Sequence, residues 1–188
     1  MSFPTVAVTL PEWVEALAPP GRVCASDEEK MRLAIELSRQ NVLHGTGGPF
    51  GAAVFERGSG RLVAAGVNSV VRLNNCTLHG EMVAFMMAQA RLGCFSLKSA
   101  GTDYELVTSC EPCAMCLGAT LWSGVSRVVC GATRDDALRL NFDEGPVFPE
   151  SHAYLRARGI EIVLGVLRDE AGAVLELYRA RGGPIYNG

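Results

Sequence analysis

The sequence predicts an α/β fold, a three-layer α/β/α sandwich around a mixed five-stranded sheet. Three observations carry that prediction: five short apolar runs with strand character, longer segments of helical apolar spacing between them, and a length of 188 residues that suits one well-filled core. Hydrophobic residues make up 48% of the chain and charged residues 20%, the balance of a compact globular protein rather than a disordered one.

Residues 1–25 are proline-rich and lack periodicity beyond a short stretch at 12–17, so they read as an N-terminal extension wrapped over a domain of residues 26–188. Ser26 ahead of Asp27-Glu28-Glu29 has the form of a helix cap with acids in the first turn. The apolar positions Met31, Ala34, Ile35, Leu37 and Val42 continue that helix to about His44, where Gly45 to Gly48 ends it. Residues 52–56 and 62–67 flank Arg57-Gly58-Ser59-Gly60 and read as a hairpin. Helical spacing returns over 81–92. Residues 105–108 read as a strand, and Pro112 suits the first turn of the helix that follows. A fourth strand at 126–130, a loop over 141–149, a fifth strand at 160–166 and a last helix over 170–181 complete the order.

The net charge is −3, and no run of lysines and arginines interleaves with aromatics. Nucleic-acid binders draw most of their affinity from neutralised phosphates, so a small molecule is expected as partner rather than tRNA or DNA. Acidic residues gather at Asp135, Asp136, Asp143, Glu144 and Glu150, either as a solvated loop or as a site entrance that repels phosphorylated substrates. No apolar stretch reaches membrane-spanning length, and residues 1–20 lack the basic start and apolar run of a signal peptide. Of seven cysteines, Cys24, Cys76, Cys94, Cys110 and Cys130 sit among apolar or small residues and read as buried reduced thiols, which points to the cytoplasm.

The chemistry is concentrated in two short strings, His79-Gly80-Glu81 and Pro112-Cys113-Ala114-Met115-Cys116. One imidazole and two thiolates are three ligands, which leave a tetrahedral zinc ion one open position, as catalytic sites do and structural ones do not. Two thiolates cancel the charge of the dication, so the metal acidifies water less than a three-histidine site would. A carboxylate to take the proton is then required, and Glu81 stands two residues from the histidine. Backbone N–H groups at a helix start favour thiolate over thiol at Cys113 and Cys116. A lone C-x-x-C could instead be a redox pair or half of a structural zinc knuckle. The upstream His-x-Glu and the proline before the first cysteine argue against both.

The paired strings are a known signature of zinc-dependent deaminases, and the sequence resembles the cytidine deaminase superfamily, within it the guanine deaminase branch. The resemblance runs from about Met31 to the C-terminus and includes Gly47-Gly48-Pro49-Phe50-Gly51-Ala52, Gly66-Val67-Asn68 and Thr108-Ser109-Cys110-Glu111-Pro112-Cys113. Leu121-Trp122-Ser123-Gly124-Val125, Phe142-Asp143-Glu144-Gly145-Pro146 and Ile185-Tyr186-Asn187 are similar to the small bacterial type that accepts guanine and the triazine ammeline. The resemblance implies a cytidine deaminase-like fold, zinc held by His79, Cys113 and Cys116, and Glu81 as proton shuttle. It further implies that Asn68 hydrogen-bonds the base and that Glu144 is a second proton carrier beside the departing amino group. It also implies a homodimer that exchanges C-terminal segments, with Tyr186 covering the partner's site, and Phe50 packed beside the base.

On the residues alone each of these keeps a plainer reading: Asn68 as a turn residue, Glu144 as a surface carboxylate, Tyr186 as an ordinary tail aromatic, Phe50 as a core side chain. Gly80 stands where many relatives carry alanine; both admit a flat base, but glycine loosens the turn and removes a methyl contact. His44 and His152 lack motif partners and read as surface or capping residues. The reaction implied is hydrolytic deamination, guanine to xanthine and ammonia, with guanosine, cytidine, cytosine and tRNA adenosine as rival substrates. A rival from another class is a zinc-stabilised interaction domain without catalysis, against which the presence of Glu81 speaks.

Overall fold

The computed structural model describes residues 2–187; Met1 and Gly188, the outer ends of the two segments read from sequence, lie outside the described residues. The chain begins with a short helix α1 (Trp13–Leu17) and a long helix α2 (Asp27–Leu43), whose cap Ser26 accepts a hydrogen bond from the Glu29 amide. The hairpin β1 (Gly51–Glu56) and β2 (Leu62–Val67) follows, then a single turn α3 (Val70–Leu73) and helix α4 (Gly80–Leu92). Strand β3 (Tyr104–Cys110), helix α5 (Ala114–Ser123) and strand β4 (Arg127–Ala132) lead to α6 (Arg134–Leu138) and α7 (Pro149–Ala157). Strand β5 (Glu161–Val163) and helix α8 (Arg168–Ala180) end the series.

The sheet has five strands in the order β2-β1-β3-β4-β5. β1 pairs antiparallel with β2 and β3, whereas β3, β4 and β5 run parallel, so the sheet is mixed. Period-two alternation builds two cores: Ala53, Phe55, Val107 and Val129 face one layer, and Ala52, Val54, Leu106 and Val128 face the other. Helices α1, α2 and α8 cover the first face; α4, α5 and α7 cover the second. Phe55 and Phe142 are fully buried, and burial of a side chain of that size stabilises by about 1.5–3 kcal/mol.

Gly66 shows why β2 and α4 can approach so closely, since a Cβ there would collide with the Gly80 carbonyl and the Ala84 amide. That approach fixes the head of α4 against the end of β2. The site therefore forms at the sheet edge where β1 begins and β2 and β3 end.

Several elements depart from the sequence expectation. Pro112 is not in the first turn of α5; the helix begins at Ala114, with Cys113 as its N-cap in extended backbone. The last strand is only three residues long, because the chain leaves the sheet after Val163. α6 and α7 occupy or border the stretch read as loop. α7 escaped notice because it buries a single side chain, Leu155, and so has no apolar stripe. Among the five cysteines read as buried, Cys24, Cys110 and Cys130 are, but Cys76 is exposed on a turn and Cys94 is half-buried. The acidic group also separates: Asp136 is buried against Arg139 and Arg168, whereas Glu144 points inward. In the N-terminal segment, Val14, Ala18 and Cys24 are buried in the first core. No helix among the described residues is long and apolar enough to cross a membrane.

Candidate active site

His79 is the N-cap of α4 and Cys113 the N-cap of α5, with Cys116 one turn into that helix. Two helix heads thus converge, and their unpaired N–H groups and dipoles favour negative charge between them. His79 Nδ1 lies 3.4 Å from Cys113 Sγ and 3.8 Å from Cys116 Sγ. All three ligand atoms fall within 4.8 Å of one another. Tetrahedral zinc, with Zn–N of about 2.0 Å and Zn–S of about 2.3 Å, needs such atoms roughly 3.6 Å apart. The three side chains therefore form a potential metal site whose donor set and spacing both fit zinc.

The electrostatics of the pocket follow from burial and from a shared proton. The Cys116 thiol, hydrogen-bonded to Cys113, draws Cys113 down to about 4 against the opposing effect of burial, and the His79 imidazole adds to the fall. Cys116 is pushed up in turn by that same hydrogen bond and by burial. Burial pulls the His79 imidazole down, but the Cys113 thiolate and the carboxylates of Glu81 and Glu144 outweigh it and leave a net rise. Burial also raises the two carboxyls, Glu81 to about 7 and Glu144 to about 8, with the Cys113 thiolate as the next cause in each.

Glu81 lies in the first turn of α4 and is 5% exposed. Glu144 reaches the same pocket from the loop after α6. The Ala114 amide donates to the Glu144 carbonyl at 2.9 Å, and the Asp143 carboxylate closes a turn by accepting from the Gly145 amide at 2.8 Å. The loop is thereby tied to the head of α5, and the plainer reading of Glu144 as a surface carboxylate fails because its side chain is buried.

Asn68 follows β2 and is fully buried. Its Oδ1 accepts from the amides of Gly48 and Val70, both at 3.4 Å, while its Nδ2 has no partner. Phe50 packs edge-on to Phe142 with ring centroids 5.0 Å apart, and its carbonyl accepts from the Asn68 amide at 2.9 Å. The methyl that Gly80 lacks would lie 3.1 Å from the Phe50 carbonyl oxygen, so a side chain there would meet backbone at close quarters.

Tyr186 lies over the site of its own chain, 5.3 Å from Phe142 and 6.4 Å from His79 between ring centroids. Asn187 pairs with the backbone of Asp143 in both directions, and the Tyr178 hydroxyl donates to the Pro184 carbonyl at 2.6 Å. In the single chain the segment folds back over its own site, held by Tyr178 and Asp143. Gly48 makes room for it, since a Cβ there would strike the Tyr186 ring.

Sequence reasoning missed Asn41, which is fully buried near the end of α2 and bonds to two carbonyls of the site. An asparagine on the buried side of an apolar helix, just before a Gly-Gly turn, was its only signal. His44 stacks on Trp13 at 5.4 Å, and His152 approaches Glu111 at 3.9 Å.

Residues 24–132 match the family described as the cytidine and deoxycytidylate deaminase zinc-binding region. The chain belongs to that family. A guanine deaminase of Bacillus subtilis (strain 168) is 37% identical to this deaminase over 123 residues, 65% of this chain and 75% of that protein. A probable cytosine deaminase of Schizosaccharomyces pombe is 31% identical over 149 residues, 75% of this chain and 85% of that protein. Among solved structures, a guanine deaminase from Nitrosomonas europaea superimposes with a TM-score of 0.89 at 44% identity, covering 94% of this chain and 97% of that one. A structure solved in complex with 2,6-diaminopurine gives a TM-score of 0.91 at 45% identity, covering 97% of both chains.

Proposed function

We propose that this deaminase hydrolyses guanine to xanthine and ammonia, with ammeline as a further substrate. The observation that carries the reading is the buried, unpartnered Nδ2 of Asn68 beside the head of α4. A buried donor without an acceptor costs about 1–3 kcal/mol, so it is expected to find one in the bound base. Guanine offers O6 and N7 as acceptors. The similarity to a guanine deaminase over 94% of the chain, and to a protein that binds 2,6-diaminopurine, supports a purine base over a pyrimidine.

His79, Cys113 and Cys116 would hold zinc, which when bound acidifies a water for attack on the amino-bearing carbon. Glu81 accepts the water proton on its carboxylate and passes it to the neighbouring ring nitrogen, keeping charge from building up on the ring. As the C–N bond breaks, Glu144, buried in the same pocket, gives a proton to the departing amine while the second water proton, on the new hydroxyl, passes to the Glu81 carboxylate, so the carbonyl forms and ammonia leaves. Glu81 then returns that proton to Glu144 through water, which resets both carboxyls. Asn68 donates from Nδ2 and fixes the register of the ring, and the Tyr186 and Phe142 rings shield the site from bulk water. Two carboxyls with separate tasks in one pocket are a recurrent solution for acid–base chemistry. We further propose a homodimer in the cytoplasm; the seven free cysteines suit a reducing compartment.

Ammonia release from guanine, ammeline, guanosine, cytosine and cytidine tests the reading, with Glu81→Gln as control. Guanine is expected to be turned over fastest, and Glu81→Gln to lose about a hundredfold to ten-thousandfold in rate while retaining zinc. A preference for cytidine or guanosine overturns the substrate; undiminished turnover in Glu81→Gln overturns the shuttle.

A further inference from the structure

Asn68 can recognise a base only if its amide is held with oxygen inward and nitrogen outward, and the structure shows what holds it. Its Oδ1 accepts from the Gly48 amide, and the carbonyl of that same residue accepts from Asn41 Nδ2 at 2.8 Å. The second hydrogen of Asn41 Nδ2 goes to the Asn68 carbonyl at 2.9 Å. One buried amide therefore clamps both the recognition residue and the glycine that orients its side chain, although Asn41 and Asn68 are 27 positions apart.

Asn41 is itself fixed from behind. Its Oδ1 accepts from the Thr46 hydroxyl at 2.7 Å and its carbonyl from the Thr46 amide at 3.0 Å. Thr46 Oγ1 in turn accepts from the Trp13 indole at 3.3 Å, and Trp13 stacks on His44. A second tie reaches the residue after Asn68: Arg72 donates to Ser69 Oγ at 3.2 Å and to the Thr9 carbonyl, while Ser69 Oγ donates to the Val67 carbonyl at 3.1 Å. Both Trp13 and Thr9 precede residue 24, where the match to the family begins.

We infer that Asn41 is a positioning residue for base recognition, braced by Thr46 and by the N-terminal segment through Trp13. The inference rests on the reading of Asn68 as the residue that binds the base. Without the clamp the Gly47-Gly48 turn loses its anchor and the Val70 amide alone holds Asn68 Oδ1, and misplacement of a recognition group by about 1 Å can cost on the order of a hundredfold.

A double-mutant cycle in the full-length zinc-loaded enzyme tests it, with kcat and KM for guanine measured for Asn41→Asp, Thr46→Val, Asn68→Ala and the two pairs that combine Asn68→Ala with each of the others. Asn41→Asp turns a two-proton donor into an acceptor facing two carbonyls and is expected to lower kcat/KM about a hundredfold. Thr46→Val removes one half-buried hydroxyl and is expected to cost about threefold to tenfold, the range of a single hydrogen bond. Each loss should shrink to less than about twofold once Asn68 is alanine, which a merely structural role would not produce. Equal losses in both backgrounds, or no loss in Thr46→Val, overturn the inference while leaving Asn68 in place. A silent Asn68→Ala overturns the recognition reading and the inference with it. If Asn41→Asp does not fold, the Thr46→Val cycle decides.

Discussion

Glu81 and Glu144 are chemically the same group in the same pocket, and what separates them is how each is delivered. Glu81 rides on the first turn of a thirteen-residue helix, whereas Glu144 hangs from a loop held by one amide of α5 and by the tail. Glu144→Gln is expected to lower kcat for guanine strongly, by at least about tenfold, with zinc content and unfolding temperature unchanged, since a proton donor to the amine acts in the transition state. Asp143→Asn, which removes the neighbouring charge in the same loop but not the proton, is the control. Equal loss in both variants would assign the effect to the loop, and no loss in Glu144→Gln would remove its role. The metal ligands and Glu81 were legible in the sequence because each string is local: a turn of helix fixes His79 against Glu81 and Cys113 against Cys116. Asn41 was not, since what makes it matter is two carbonyls that folding brings from Gly48 and Asn68. Glu144 lay between these cases, visible as a motif but with a burial that only the folded loop creates.

At the level of elements, the two ends of the sheet do different work. The site edge gathers groups that move protons, while the opposite edge gathers ion pairs. Glu105, fully buried on β3, meets Lys30 at 2.6 Å and Arg127 at 2.7 Å, and Arg127 also grips Asp27 at the start of α2 with two bonds of 2.6 and 2.8 Å. That guanidinium holds the Asp27 carboxyl below its ordinary value, against a smaller opposing effect of burial. A depressed folded value means stability that is present above about pH 4, the ordinary aspartate value, and is lost as pH falls through the folded one. Chemical denaturation at pH 7 and pH 3 should therefore show a shallower acid dependence for Asp27→Asn than for the natural chain; parallel curves would assign the acid limb to other groups. The helices and strands with a core face were readable from spacing, as α2, α4 and the hairpin show. α7 was not, because it covers the sheet edge with one leucine and leaves its other faces to solvent.

For the whole molecule, the conspicuous surface is that of α5 and α7. α5 carries no charged residue, and Trp122, Phe148 and Tyr154 are 77%, 62% and 50% exposed around it. Exposed aromatics grouped in this way mark association surfaces, and a helix face without charge can meet its own copy across a two-fold axis without like-charge repulsion. Light scattering at micromolar concentration is expected to give twice the 20.0 kDa chain mass, and Trp122→Glu to shift the protein toward monomer. A monomer in the unmodified protein overturns the dimer; a dimer that survives Trp122→Glu places the interface elsewhere. The heads of α4 and α5 have one more effect on this molecule. Cys113 and Cys116 lie 34 and 37 positions beyond His79, and closing a loop of that length forfeits about 3 kcal/mol of chain freedom. A cation held by both heads would thus be a removable stitch across the polymer as well as a reagent, and would tie the lifetime of the native chain to the occupancy of its own reaction centre.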